Sequence, residues 1–239
     1  MRPLIPISDT PEGAVSLQVC ARIRDQIIRG SLVPAQRLSE TEVASSFDVS
    51  RQPVREAFIR LAAEGLLEIR PQRGTYVRRI SVASALTTRL IREAVEVELI
   101  RMLVPRITAA DIESLRQQIA QQEDVATKGS PADFILLDEA FHRHLAEAAG
   151  APDVSDYLEA LNVQMNRVRN MTVREFAPDI LVAQHRAIVD ALEAGDAKAA
   201  ETAIRRHLRQ FNIDLPTIVA SYPDYFKDTD VLTSHDTTP

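Results

Sequence analysis

Two groups of side chains in this 239-residue chain have types and spacings that could do chemistry. The first is the run Ser50-Arg51-Gln52-Pro53-Val54-Arg55. Arg51 and Arg55 are four apart, so on a helix they project from one face. A guanidinium can make a bidentate contact with guanine, worth about 1–3 kcal/mol of discrimination, or grip a phosphate. Gln52 could read adenine or contact the DNA backbone, and Ser50 could cap the helix and touch phosphate. Arg73-Gly74 joins this group as a turn whose arginine can enter a minor groove or bind phosphate, with glycine letting the backbone approach. The plainer alternative is that Arg51 and Arg55 pair with Glu56 or with carboxylates of the preceding helix.

The second group is the set of five histidines at 142, 144, 185, 207 and 235, all in the second part of the chain. Asp138 and His142 stand at i and i+4, so a carboxylate and an imidazole share one helix face and could share a cation. His144 falls about 240° round the helix from Asp138 and points away. His185 and His207 lie on two helices broken at Gly195, and an antiparallel pair could bring both to one depth. Asp138, His142, His185 and His207 would then form a three-nitrogen, one-oxygen site with positions left for water or ligand. A core histidine, a cap or a salt bridge fits the same Asp-x-x-x-His spacing.

The elements that must position these groups follow from periodicity. Val15, Val19, Ile23 and Ile27 recur at helical spacing before Gly30. Ser39-Glu-Thr-Glu42 is a capping box opening a short helix to Phe47. Asp48-Val49 turns the chain, Ser50 caps a second helix with Pro53 in its first turn, and Val54, Phe58 and Leu61 form its apolar face. Leu66–Arg70 and Thr75–Arg78 flank Pro71-Gln-Arg-Gly74 as a hairpin. This order is that of a winged helix-turn-helix, whose second motif helix enters the major groove.

The rest reads as helices at about 86–105, 108–126, 131–149, 152–174, 177–194 and 196–214, with Thr108 and Ser130 at N-cap positions. The expected fold is mainly α, a winged head followed by an antiparallel six-helix bundle. The expected organisation is a disordered arm over 1–13, the head over 14–80, a linker over 81–85, the bundle over 86–214 and a mobile acidic tail over 215–239.

Composition adds limits. The net charge is −6, which by itself argues against a nucleic-acid binder. Residues 1–80, however, hold 12 Arg and no Lys against 9 acidic residues, while residues 81–239 hold 16 Lys+Arg against 25. The acidic total conceals a basic head. The single cysteine, Cys20, excludes an internal disulfide and points to the cytosol. No apolar run is long enough to span a membrane, and no signal peptide is visible.

The words Ile28-Arg29-Gly30, Leu38-Ser39-Glu40, Ser50-Arg51-Gln52-Pro53-Val54-Arg55-Glu56-Ala57, Glu64-Gly65-Leu66 and Arg73-Gly74 resemble the DNA-binding domain of GntR-type bacterial transcriptional regulators. Ala35 stands where that family usually has glycine in a Pro-Gly turn, which should slightly alter the turn, and Gln52 replaces a common threonine. Residues 86–214 resemble the FCD ligand-binding domain of the FadR-like subfamily, through Arg92–Glu96, Asp138–Leu145, Gln184–Leu192 and Arg206-His207-Leu208. The resemblance implies a homodimeric regulator, more often a repressor, on a palindromic DNA operator. It implies a divalent metal (Zn, Ni, Mn or Fe) on Asp138, His142, His185 and His207. It further implies a small organic acid nearby, contacted by Arg92, with Asn166 and Arg167 as further candidates. The rival readings are a metal-responsive regulator without an organic effector, a metal-dependent hydrolase and a sequence-indifferent architectural DNA protein. The hydrolase reading lacks a general-base motif and leaves the head unexplained.

Overall fold

The structure, a computed structural model, describes residues 12–128 and 131–232. The arm expected over 1–13 falls almost wholly outside these residues, as do the Ser130 cap and His235. The described residues divide into two compact units, one of residues up to 80 with 224–227, the other of those from 81 to 223 with those from 228 on.

In the first unit, α1 (Glu12–Ile28) buries Val19, Ile23 and Ile27. Its Arg24 makes two hydrogen bonds to Glu64, of 2.7 and 2.5 Å. The Ser39 half of the capping box forms: Ser39 Oγ accepts from the Glu42 amide at 3.4 Å and opens α2 (Glu40–Phe47). Asp48 then takes a left-handed conformation at φ +54°, which a short polar residue tolerates, and turns the chain into α3 (Arg51–Ala63). Pro53, Val54, Ala57, Phe58 and Leu61 are the buried face of α3. Arg51, Gln52 and Arg55 are on its exposed face.

The wing has three strands, not two. The hairpin of β2 (Leu67–Arg70) and β3 (Gly74–Val77) is joined by β1 (Arg37–Leu38), antiparallel to β3 with Arg37 opposite Tyr76. A two-residue strand leaves no periodicity to read. The turn feeding it contains Ala35 at φ +64°. The Pro-Gly geometry is therefore kept with an alanine in it, the Ala35 amide donating to the Val77 carbonyl at 2.9 Å. The expected alteration of the turn is replaced by local strain, because a Cβ in this region crowds the following carbonyl. Gly74, at φ +107°, has a backbone that L side chains rarely adopt. A Cβ there would lie 2.8 Å from Arg37 Nε, so the wing tip closes against Arg37. β4 (Ile80–Ser81) and β5 (Phe226–Lys227) form a separate two-stranded sheet.

The second unit is helical. Its helices are α4 (Val82–Leu103), α5 (Ala109–Lys128), α6 (Pro131–Ala148), α7 (Asp153–Leu161), α8 (Val163–Glu175), α9 (Asp179–Glu193) and α10 (Ala197–Ser221). α10 packs on α9 and α4, α5 on α6 and α9, and α8 on α10 and α6. Phe134, Phe141, Leu103, Leu115, Ile188 and Ile204 sit in the core between them.

Three boundaries differ from the reading by sequence. No linker occupies 81–85: Ser81 Oγ accepts from the Ser84 amide at 3.2 Å, and Val82 and Ala85 are already buried in α4. The expected helix over 152–174 is broken at Asn162 into α7 and α8, giving seven α-helices among the described residues of this unit. The chain beyond 214 is not a tail as far as residue 232. α10 continues through Pro216, because fully buried Leu215 and Ile218 hold the turn that proline weakens. Phe226 is buried in turn.

Candidate metal centre and nucleic-acid interface

Asp138 and His142 project from α6, His185 from α9 and His207 from α10. One donor atom from each lies within 4.8 Å of the others. His207 Nε2 is 3.1 Å from His142 Nε2 and 3.4 Å from His185 Nε2. Asp138 Oδ1 is 3.6 Å from His185 Nε2, and Oδ2 is 3.8 Å from His142 Nε2. Phe141 stacks on the His185 ring at 4.2 Å between centroids. His144 faces Ser114, Gln118 and Asp111 instead, as its helical phase requires.

What each imidazole does with its other nitrogen decides the chemistry. His185 Nδ1 is 2.7 Å from Gln122 Oε1, and the Gln122 amide nitrogen donates to the Leu137 carbonyl at 3.2 Å. Gln122 therefore presents its oxygen, and His185 must donate from Nδ1. His207 Nδ1 is 3.2 Å from Gln184 Oε1, whose amide nitrogen donates to Gln210 at 3.1 Å. His142 Nδ1 stands 2.6 Å from Glu96 Oε2, a carboxylate that can only accept. His185 and His207 thus hold their hydrogens outward and turn Nε2 inward, where His142 Nε2 also faces. Outer partners of this kind set tautomer and ring orientation at metal sites.

Charge agrees. Burial pushes His185 down to about 3 and His207 well below the usual imidazole range, so both rings are neutral. Burial alone would raise the Asp138 carboxyl, but the Arg169 guanidinium overcomes it and holds it ionised. Glu96 is held at about 2 because Arg92 and His142 outweigh its burial. Three converging imidazole nitrogens, beside one carboxylate oxygen, fit a divalent cation that accepts mixed nitrogen and oxygen ligands.

A cavity opens beside this cluster. Asp138 and His207 line it together with Arg89, Arg92, Arg169 and an apolar wall that includes Phe134 and Phe211. Arg92 lines this cavity, with its guanidinium held by Glu96. Arg167 and Asn166 do not line the cavity. Arg167 is 2% exposed and turns to Gln164, at 3.1 Å, and Asn166 donates to Glu139 at 2.9 Å. The arginine of α8 that reaches the cavity is Arg169, bound to Asp138 Oδ2, with Nη1 3.0 Å from Asn166 Oδ1. It lies three residues beyond Asn166 and about 200° round the helix from Arg167. Gln122 was also missed, since nothing local to it announces a histidine 63 positions away.

At the other group, Ser50 is the N-cap of α3 but makes no side-chain cap bond. Arg51 does take the plainer partner, Glu40 of α2, at 3.0 Å, with its side chain still 67% exposed. Such a surface pair is worth at most about 1 kcal/mol and exchanges easily for phosphate. Gln52 donates to Glu56 at 3.1 Å. Arg55 and Arg73 are exposed. The Tyr76 hydroxyl donates to the Arg73 carbonyl at 2.9 Å, bracing the wing tip.

A winged helix-turn-helix with exposed arginines at the start of its second motif helix, joined to a helical unit with a buried His/Asp cluster, is the architecture of a DNA-binding regulator. Residues 15–77 match the family model described as bacterial regulatory proteins, gntR family, and residues 89–210 match that of the FCD domain. The chain belongs to the GntR family of bacterial regulatory proteins and is a DNA-binding regulator of transcription. It is 36% identical over 219 residues to the HTH-type transcriptional repressor RspR of Escherichia coli K12, covering 91% of this chain and 96% of that one. It is also 36% identical to an HTH-type transcriptional regulator in an unstable DNA locus of Streptomyces ambofaciens, over 86% of each chain. In fold it resembles E. coli McbR/YncC, with TM-score 0.71 at 21% identity over 87% of this chain and 98% of that one. These relatives are regulators rather than enzymes, which removes the hydrolase reading. Among the described residues, no helix is long and apolar enough to cross a membrane.

Proposed function

We propose that the chain is a cytoplasmic, homodimeric repressor whose hold on a palindromic operator is set by a small carboxylate bound beside a divalent cation in the bundle. The observation that carries this reading is the set of three Nε2 atoms turned toward one another beside Asp138. Asp138, His142, His185 and His207 would hold the cation, which supplies a positive centre for an anionic ligand. The apolar wall of the adjoining cavity suits the body of an organic acid better than a bare inorganic ion. The metal-only reading is therefore the weaker one.

Ser50, Arg51, Gln52, Arg55, Arg73 and Gly74 are the residues proposed to meet DNA. Dimerisation is supported by exposed Leu90 and Ile91 on α4 and exposed Tyr157 and Leu161 on α7. Thr88 Oγ1 donates to the Leu161 carbonyl at 3.4 Å, which brings the two sets side by side. Native mass spectrometry with elemental analysis of the purified protein tests dimer and metal together. A monomer, or a protein that takes up no metal on reconstitution, would refute the corresponding part. For the head, Arg55→Ala should lose about 1–3 kcal/mol of operator discrimination and keep a salt-dependent baseline. Unchanged selectivity in a competition shift assay would remove Arg55 from the interface.

A further inference from the structure

Three arginines line the cavity, and each is held by its own carboxylate. Arg89 contacts Glu93, Arg92 contacts Glu96 and Arg169 contacts Asp138. The three carboxylates are not equivalent. Glu93 is shared with Arg205 and Arg209, at 2.9 and 2.7 Å, and takes no part in the histidine cluster. Glu96 supports the cluster from outside, through His142 Nδ1. Asp138 alone is both an arginine's partner and a member of the cluster, and the same oxygen, Oδ2, faces Arg169 and His142 Nε2.

We propose that Arg169 is a latch that becomes the effector's anion receptor: it closes on Asp138 and is released into the cavity when Asp138 ligates a divalent cation. This rests on the metal reading above. Arg169 must then give up Oδ2, because a guanidinium and a dication on one carboxylate oxygen repel at short range in a site screened from water. Its remaining neighbours do not hold it firmly: Asn166 Oδ1 is a neutral acceptor at 3.0 Å, and Glu139 is 3.9 Å away. The freed fork faces a cavity walled by Phe134, Met165, Leu208 and Phe211. A planar guanidinium in such surroundings takes a carboxylate bidentately, and the apolar wall takes its hydrocarbon body.

Arg92 is the poorer receptor, because drawing it away from Glu96 would disturb the carboxylate that orients His142. The ligand class is therefore a monocarboxylate with an apolar body, and occupancy is ordered, cation before acid. Reciprocity follows: the acid tightens cation binding by the factor by which the cation tightens acid binding.

The test is calorimetric titration of Ni²⁺ into the full-length wild type, Arg169→Gln and Arg169→Met, each with and without excess butyrate, a weak chelator. Circular dichroism checks the fold, and Arg167→Gln serves as a control outside the cavity. Wild type should bind Ni²⁺ more tightly with butyrate present. Both variants should bind Ni²⁺ about tenfold more tightly than wild type without butyrate, and lose the butyrate response. Wild-type affinity and wild-type butyrate response in both variants would overturn the latch while leaving the metal site standing. Failure of the wild type to bind Ni²⁺ would overturn the metal reading, and the latch with it.

Discussion

The head and the bundle use polar side chains in opposite ways. In the head, the residues facing outward are held loosely: Arg51 by one surface pair to Glu40, Gln52 by Glu56, and Ser50 by no side-chain cap bond. In the bundle every member of the cluster is tied twice. His185 and His207 each have an inward neighbour and an outward glutamine acceptor, His142 stands between His207 and the Glu96 carboxylate, and Asp138 lies between Arg169 and two of the rings. A surface that must meet a long, hydrated polyanion gains from side chains that can exchange partners. A site that selects a cation gains from donors whose orientation is set beforehand. The charges divide the same way, with the acidic excess of the chain residing in residues 81–239. That excess should repel DNA from the bundle and leave more of the recognition to the head.

The comparison can be broken most sharply at Phe141, which is fully buried and stacked on His185. Phe141→Ala should destabilise the bundle by about 3–5 kcal/mol, measured by denaturant unfolding, while an exposed head residue such as Gln52→Ala should change stability by under about 0.5 kcal/mol. Equal effects would remove the contrast between a preorganised and an adaptable site. Next in size, Gln122→Leu should weaken metal binding by about 10–100-fold, because His185 would lose the acceptor that fixes its tautomer. Non-specific DNA affinity should not change, and the two titrations together test the separation of roles.

Acid should also distinguish the units. The folded His185 sits at about 3, below its unfolded value near 6.5, so between those limits the unfolded chain binds a proton that the folded chain refuses. Stability from this group is therefore full above 6.5 and falls as pH drops toward 3, by roughly 1.4 kcal/mol per pH unit. Glu96, held at about 2, adds a further loss below its unfolded value of 4.5. Peptide-resolved hydrogen exchange at pH 7 and pH 5, corrected for intrinsic rates, should show protection lost in α6, α9 and α10 before α3. The smallest effect belongs to the head. Ala35→Gly should stabilise it by about 1 kcal/mol by relieving the left-handed alanine, visible as a rise in its melting midpoint. A drop would mean that the turn is not strained.

Much of this molecule could be read along the chain. The capping box at Ser39, the apolar face of α3 and the shared face of Asp138 and His142 all depend on residues within one or two helical turns of each other. Periodicity and side-chain reach act at that range, so these features are carried locally. The misreadings share an opposite cause. The tail expected over 215–239 is instead helical to Ser221, held by buried Leu215 and Ile218, and the two-residue β1 needs β3 to exist at all.

The types and phases of the elements, the basic head and the four candidate ligands were therefore properties of the sequence. Which way each imidazole hydrogen points, and that Arg169 rather than Arg167 meets Asp138, were decided only when α4, α5, α6, α8, α9 and α10 came together. Tautomer and ion-pair choice are settled by acceptors and charges about 3 Å away in space, and here those partners lie from 23 to 63 residues away along the chain.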